Sequence, residues 1–316
     1  MDSASSKAGK LSKSLTAAIQ LAAPQTWTAS LGPALYAVLL CALRGYPLGA
    51  VRALLLIPAC VLLQSAVNTL NDYFDFVKGA DSADDCVEKS DATLVYGDAE
   101  PKRAFVLGLA YLAAGACLGL IACVNRGPMP LLIGLAGVLV VWCYSAGPLP
   151  LSYLPCGELV SGLMMGGLIP LGIAACADGA LHAEVLVFSL PLVLGIALIM
   201  MSNNGCDIEK DGRAGRRTLP LLLGRERSLR LYRGLCAVWL ALLILVPVWL
   251  AGPSGLLSAM LLILFGTQIF RRLFSLRLLP EERIRQMKTI NAANLTGDAA
   301  MLAALAERLL AEAIHG

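Results

Sequence analysis

Eight stretches of this chain contain no Asp, Glu, Lys or Arg: residues 24–43, 53–70, 104–124, 128–149, 159–177, 185–202, 234–252 and 253–270. Each approaches or exceeds the roughly 20 apolar residues that a helix needs to cross a bilayer. A ninth, 290–314, is Ala-rich but carries Asp298, Glu307, Arg308 and Glu312. Of the 316 residues 58% are hydrophobic and 15% charged, against about 25% charged in an average soluble domain. The solvent for so much apolar surface must be lipid. Backbone polar groups in lipid have to be paired internally, which leaves helices or closed barrels, and runs this long and uniform fit helices. The sequence predicts an all-α polytopic membrane protein, a single domain over residues 1–316 with about nine transmembrane helices.

The N-terminus is expected to be a retained first span. Lys7, Lys10 and Lys13 lead into a segment with no short hydrophobic core and no clear cleavage site. The N-terminus, the loops after spans two and six, and the segment after span eight hold 21 of the 25 basic residues. Positive charge stays in the cytoplasm. The N-terminus and the loops at about 71–103 and 203–233 are therefore expected on the cytoplasmic face of a cell's inner (plasma) membrane. The ten cysteines show no CxxC or metal-ligand spacing and read as small apolar fillers. His182 and His315 read as surface residues, and nothing points to nucleic acid.

The two cytoplasmic loops also hold most of the acids, and a weak internal repeat places them. Span two ends in Asn68-x-x-Asn71-Asp72-x-x-Asp75 and span six in Asn203-Asn204-x-x-Asp207-x-x-x-Asp211. Two four-helix halves, each with its acidic motif in the same place, plus one extra helix describe this pattern. Repeats of this kind often place a site where the halves meet.

Asp72 and Asp75 are three apart and Asp207 and Asp211 four apart, so each pair shares a face if the helix continues past the lipid. Paired carboxylates suit a hard cation, and magnesium in particular takes one or two carboxylates with waters and phosphate oxygens. Two pairs facing each other across a cavity would hold magnesium ions with a diphosphate between them. Lys78, Lys210, Arg213, Arg216 and Arg217 lie close by, and guanidinium groups match phosphate oxygens bidentately. Asn68, Asn71, Asn203 and Asn204 could orient the carboxylates or ligate metal. The bland alternative is a solvated loop with ordinary positive-inside charges, and for Asp84, Asp85, Glu88 and Asp91 it is preferred.

At these residues the sequence resembles the UbiA superfamily of intramembrane prenyltransferases, and within it the 1,4-dihydroxy-2-naphthoate polyprenyltransferases. Three stretches carry the resemblance: Asn68 to Asp81 with Asp72-Tyr73-x-Asp75 and Lys78-Gly79; Tyr144 to Tyr153 leading to Gly157-Glu158; and Asn203 to Leu219 with Ala214-Gly215-Arg216-Arg217. The chain departs from the pattern at Cys206, where relatives carry arginine, and in the first-loop stretch Ser90 to Pro101, which lacks a basic residue before Lys102.

The resemblance implies helices in a ring around a central cavity, with a lateral opening for a polyprenyl tail. It implies transfer of a polyprenyl group from its diphosphate to an aromatic acceptor in the bilayer, dihydroxynaphthoate on the way to menaquinone, with Mg2+. Asp72, Asp75, Asp207 and Asp211 would be catalytic through metal, joined by Asn71. Lys78, Arg216, Arg217, Asn68, Asn203 and Asn204 would hold diphosphate. Tyr73, Tyr144, Tyr153, Glu158 and Asp81 would face the acceptor or the allylic cation. Rival readings are another acceptor such as 4-hydroxybenzoate, a relative that binds a prenyl lipid without turnover, and a transporter. The last is disfavoured because no charged residue lies inside the first eight spans.

Overall fold

The computed structural model describes residues 16–79, 93–96, 100–147 and 149–315. Among these, helices and no strands are seen, and the longer ones position the site. We label them α1 (Thr28–Arg44), α2 (Ala50–Val77), α3 (Pro101–Ala122), α4 (Pro128–Ser145), α5 (Gly157–Asp178), α6 (Leu190–Cys206), α7 (Arg225–Ala251), α8 (Leu256–Leu261 continuing through Leu262–Gly266 into Thr267–Ser275) and α9 (Arg283–His315). Short helices at Glu184–Phe188, Ile208–Arg213 and Leu219–Leu223 join them.

Length and composition qualify α2, α3, α4, α5 and the stretch Arg225–Ser275 as membrane spans, and α1 with the bent segment before it as a sixth. The stretch Arg225–Ser275 is a hairpin of two rods, because Ser258 Oγ on α8 donates to Leu243 O on α7 at 2.7 Å. Arg233 Nη2 on α7 likewise reaches Leu276 O, just past α8, at 3.5 Å. The reversal falls at Gly252, whose φ of 59° is open to glycine and strained for other residues. α6, at 17 residues, is apolar but short, and α9 is the most polar of the nine.

Lipid gives little hydrophobic drive between helices, so close packing and interhelical hydrogen bonds hold the rods together. α5 crosses α6 through Gly162 and Gly166, where any Cβ would collide with the Val193 backbone. A wide π turn, Gly162–Leu168, lies at this crossing, as π turns commonly do at functional regions of a helix. α9 is tied along its length. Gln286 Nε2 donates to Ser202 Oγ at 3.1 Å and Tyr232 Oη at 2.9 Å, and Asn294 Nδ2 donates to Gly195 O at 3.2 Å. Each such bond contributes about 0.6 to 2 kcal/mol inside a membrane protein. Farther along α9, the buried Asp298 carboxylate lies where a side chain at Gly32 of α1 would sit.

Candidate active site

The first acidic motif lies on helix. α2 runs unbroken from Ala50 to Val77, seven residues past Leu70 where the apolar run stops. Asn68, Asn71, Asp72 and Asp75 therefore stand at i, i+3, i+4 and i+7 on one face. The first three line a large cavity. Asp75, one turn beyond, is only 5% exposed. Asn71 positions it, donating Nδ2 to Asp75 Oδ2 at 2.9 Å while its own Oδ1 accepts from Ser145 Oγ at 2.9 Å. Asn68 Nδ2 donates to Thr26 Oγ1 at 2.8 Å and to Ala22 O at 3.1 Å.

The second motif straddles a break. α6 ends at Cys206, and Ile208–Arg213 starts a new short helix after Asp207. One backbone turn still links the pair, Asp211 N donating to Asp207 O at 2.8 Å. Their carboxylates nevertheless part company. Asp207 accepts from Arg283 Nε at 2.9 and 3.1 Å, and Arg283 Nη2 donates to Asn203 Oδ1 at 2.7 Å. Asp211 accepts from Thr218 Oγ1 at 2.8 Å and is 2% exposed. Burial pushes its pKa up to about 6.

Arg216 joins the two motifs. Its Nη2 lies 2.7 Å from Asp75 Oδ1 and its Nη1 3.8 Å from Asp211 Oδ1, with the guanidinium 4.8 Å over the Tyr153 ring. The approach to Asp75 is an ion pair, and among the described residues the buried Nε has no acceptor. Lys78 approaches the same ring from 5.0 Å and donates Nζ to Ser145 O at 3.0 Å. Loss of hydration lowers its pKa, opposed by the charge of Asp75.

The cavity measures about 730 Å³. Asn68, Asn71, Asp72, Asn203, Arg216 and Arg283 make one end polar, and side chains such as Leu131, Leu135, Ile133, Ile173 and Met165 make the remainder apolar. Leu120 on α3 and Leu131 and Leu135 on α4 line it and are 58%, 42% and 55% exposed. Among the described residues no other element covers the α3–α4 side. A polar end meeting a long apolar chamber suits an amphiphile with a charged head and a hydrocarbon tail.

Among the sequence-predicted residues, Asn68, Asn71, Asp72, Tyr144, Asn203, Asn204 and Arg216 line this cavity. Asp75, Asp211 and Tyr153 reach it through Arg216. Glu158 is buried behind the wall and accepts from Asn204 Nδ2 at 2.9 Å, its Oε2 having no partner. Tyr144 Oη accepts from Ser161 Oγ at 3.3 Å.

Other expectations need correcting. Tyr73 does not face the cavity; its ring packs 4.9 Å from Phe105 on α3, because it stands on the opposite face of α2 from Asn71 and Asp75. Arg217 is exposed, and its backbone N–H donates to Tyr153 O at 2.8 Å. The four aspartates are not four converging ligands, since Arg216 and Arg283 stand among them. Among the described residues no three Asp, Glu, His or Cys side chains gather as a metal cage. Asp81 lies outside the described residues.

Arg283 is the residue that sequence reasoning missed. With Met287 and Asn291 it forms an i, i+4, i+8 stripe on α9 that lines the cavity. That spacing was legible, but Arg283 sat among six basic residues that positive-inside charge alone explained.

Residues 30–295 match the model of the UbiA prenyltransferase family. The chain is 32% identical over 248 residues to a 1,4-dihydroxy-2-naphthoate octaprenyltransferase of Bacillus subtilis (strain 168), covering 78% of this chain and 76% of that protein. It is 32% identical over 186 residues to UbiA prenyltransferase domain-containing protein 1 of Mus musculus, covering 57% and 53%. The fold is similar to that of a UbiA homolog from Archaeoglobus fulgidus bound to GPP and Mg2+, with a TM-score of 0.62, 20% identity and coverage of 90% and 99%. A UbiA homolog from Aeropyrum pernix K1 gives a TM-score of 0.62 at 21% identity, covering 86% and 96%. The polar-ended apolar chamber, the paired motifs and these likenesses agree: the chain belongs to the UbiA prenyltransferase family and is a prenyl-transferring enzyme.

Proposed function

We propose that this enzyme transfers a polyprenyl group from polyprenyl diphosphate to 1,4-dihydroxy-2-naphthoate, with Mg2+, the acidic motifs lying at the cytoplasmic face of a cell membrane. One observation carries the reading: Arg216 is held between Asp75 of the first motif and Asp211 of the second, at the polar end of a tail-sized apolar cavity. The relative from Bacillus subtilis supports the acceptor, and the UbiA homolog bound to GPP and Mg2+ supports the donor and the ion.

The residues fit magnesium. Their side-chain donors are oxygens of Asp and Asn, and magnesium completes such a set with phosphate oxygens and water. Asp72 and Asn71, which line the cavity, would hold it, with the carboxylates of Asp75, Asp207 and Asp211 paired to Arg216 and Arg283 around them. When bound, magnesium neutralises charge that develops on the leaving diphosphate.

The chain's own groups do the rest. Arg216, with Nε aimed at no acceptor among the described residues, and Lys78 present fixed positive charge where the leaving group gathers negative charge. The allylic C–O bond breaks with its electron pair on the diphosphate. The acceptor ring supplies an electron pair for the new C–C bond, and its carboxylate departs as carbon dioxide. The apolar walls keep water from the allylic cation, and the half-buried Tyr144 ring, which lines the cavity, lends it a π face. Glu158 and Asn204 form a fixed pair beside the chamber that would orient the acceptor.

The test incubates membranes holding the chain with radiolabelled farnesyl or geranylgeranyl diphosphate and either dihydroxynaphthoate or 4-hydroxybenzoate. Labelled prenylnaphthalene product and released pyrophosphate are expected with the first acceptor. Product only with 4-hydroxybenzoate would overturn the assignment of acceptor.

A further inference from the structure

At the end of the cavity remote from the acidic motifs, Cys123 Sγ lies 3.7 Å from Cys176 Sγ. Cys123 caps the C-terminus of α3, and Cys176 is buried near the end of α5. Both line the cavity wall, as does Cys60 of α2. Arg52 donates Nε to Ala122 O at 3.1 Å and Nη2 to Val124 O at 3.3 Å, the carbonyls on either side of Cys123. Arg52 therefore anchors the end of α3 beside the pair. A second cysteine in reach of an accessible thiol is the arrangement found in redox-active pairs. The sulfurs must approach by about 1.7 Å to reach the roughly 2.05 Å of a disulfide.

We propose that Cys123 and Cys176 form a reversible disulfide in the cavity wall, with a lipid-soluble quinone as its oxidant. The surroundings select that class of oxidant. Cys176 is 2% exposed, and the cavity around the pair is lined by Leu120, Ile133, Leu168 and Ile173, so a flat apolar molecule entering from the uncovered α3–α4 side reaches the thiols. Two S–H bonds break and one S–S bond forms. The two electrons and two protons released convert the quinone to its hydroquinone. The new bond ties the end of α3 to α5 and fixes the far end of the chamber. This chemistry requires no prenyl transfer, so its test is separate from that of the acceptor.

The experiment treats the full chain in liposomes with duroquinone, whose ring carbons are all substituted so that it oxidises thiols without adding to them. Remaining thiols are counted by maleimide–polyethylene glycol gel shift, and non-reduced digests are examined by mass spectrometry. Two tags should be lost, then regained with dithiothreitol, with a Cys123–Cys176 cross-linked peptide in the oxidised sample. Cys123→Ser and Cys176→Ser should each abolish the two-tag loss, and Cys60→Ser should leave it. Retention of all tags in the wild type, or a cross-linked peptide pairing either cysteine with Cys60 instead, would overturn the proposal. The wild-type peptide map decides the matter even if a serine variant folds poorly.

Discussion

Arg216 Nη2 lies 2.7 Å from Asp75 Oδ1, joining residues 141 positions apart in sequence at the polar end of the cavity. Removing the arginine strands Asp75 and Asp211, both buried. Breaking a buried ion pair from one side costs about 3–5 kcal/mol. Arg216→Ala should lower the thermal midpoint in detergent and reduce pyrophosphate release by about 100-fold or more, the scale of losing a fixed charge at a developing anion. Arg216→Lys keeps the charge without the fork and should fall between the two. Wild-type turnover in Arg216→Ala would remove this residue from the site.

Asp72 is the first-motif aspartate that lines the cavity directly. Asp72→Ala should cut turnover by orders of magnitude, because a metal ligand at the leaving group is lost. Chelation with EDTA should stop pyrophosphate release in the wild type, and added magnesium should restore it. Turnover that persists in EDTA would exclude a magnesium-dependent reaction.

Asp211 gives a pH signature in the metal-free protein. Its pKa is raised from 3.8 to about 6 by burial, so between those values the folded chain holds a proton that the unfolded chain has released. Stability should then fall as pH rises from about 4 to about 6, and this contribution should level off above it. Melting curves of EDTA-treated wild type against Asp211→Asn isolate the effect, since the asparagine variant lacks that component. An identical pH profile in both proteins would show that Asp211 titrates normally.

Arg283 and Asp207 form a second joint, with Nε 2.9 Å from Oδ1. A double-mutant cycle of Arg283→Met and Asp207→Asn should show a coupling of about 0.5–3 kcal/mol in stability, as for residues in one charged network. Strict additivity would mean that the pair contributes nothing measurable.

Gly119 on α3 and Gly134 on α4 line the cavity, and an added Cβ at either meets no atom within 4 Å. Gly134→Leu should leave the helix intact or firmer, since glycine costs a helix about 1 kcal/mol relative to alanine. The new side chain fills the chamber, so kcat/KM should drop more for geranylgeranyl than for geranyl diphosphate. Equal effects on both donors would place the tail elsewhere.

The helical character and the two motifs were legible in the sequence because lipid imposes long charge-free runs and leaves acids conspicuous between them. Asp72, Asp75, Asp207 and Asp211 could be picked out on spacing alone, yet spacing could not say which way their carboxylates turn. Asp207 and Asp211 share a backbone turn and still bind different cations, Arg283 and Arg216, because the helix breaks between α6 and Ile208–Arg213. Tyr73 was misread for a related reason: beside Asp72 in sequence, it stands on the other side of the rod and packs on Phe105. Arg283 went unnoticed because its partner lies 76 residues away, and no local pattern records such a contact.

Asp298 fills the notch that Gly32 leaves on α1, and this acts as an axial detent on the last helix. Sliding α9 by one turn would shift it about 5.4 Å, wedge the carboxylate against a neighbouring side chain and drag Arg283 out of reach of Asp207. A glycine near the start of the chain thus indexes the position of an arginine some 250 residues later, and a bulkier residue at position 32 would throw the reaction chamber out of alignment from a distance.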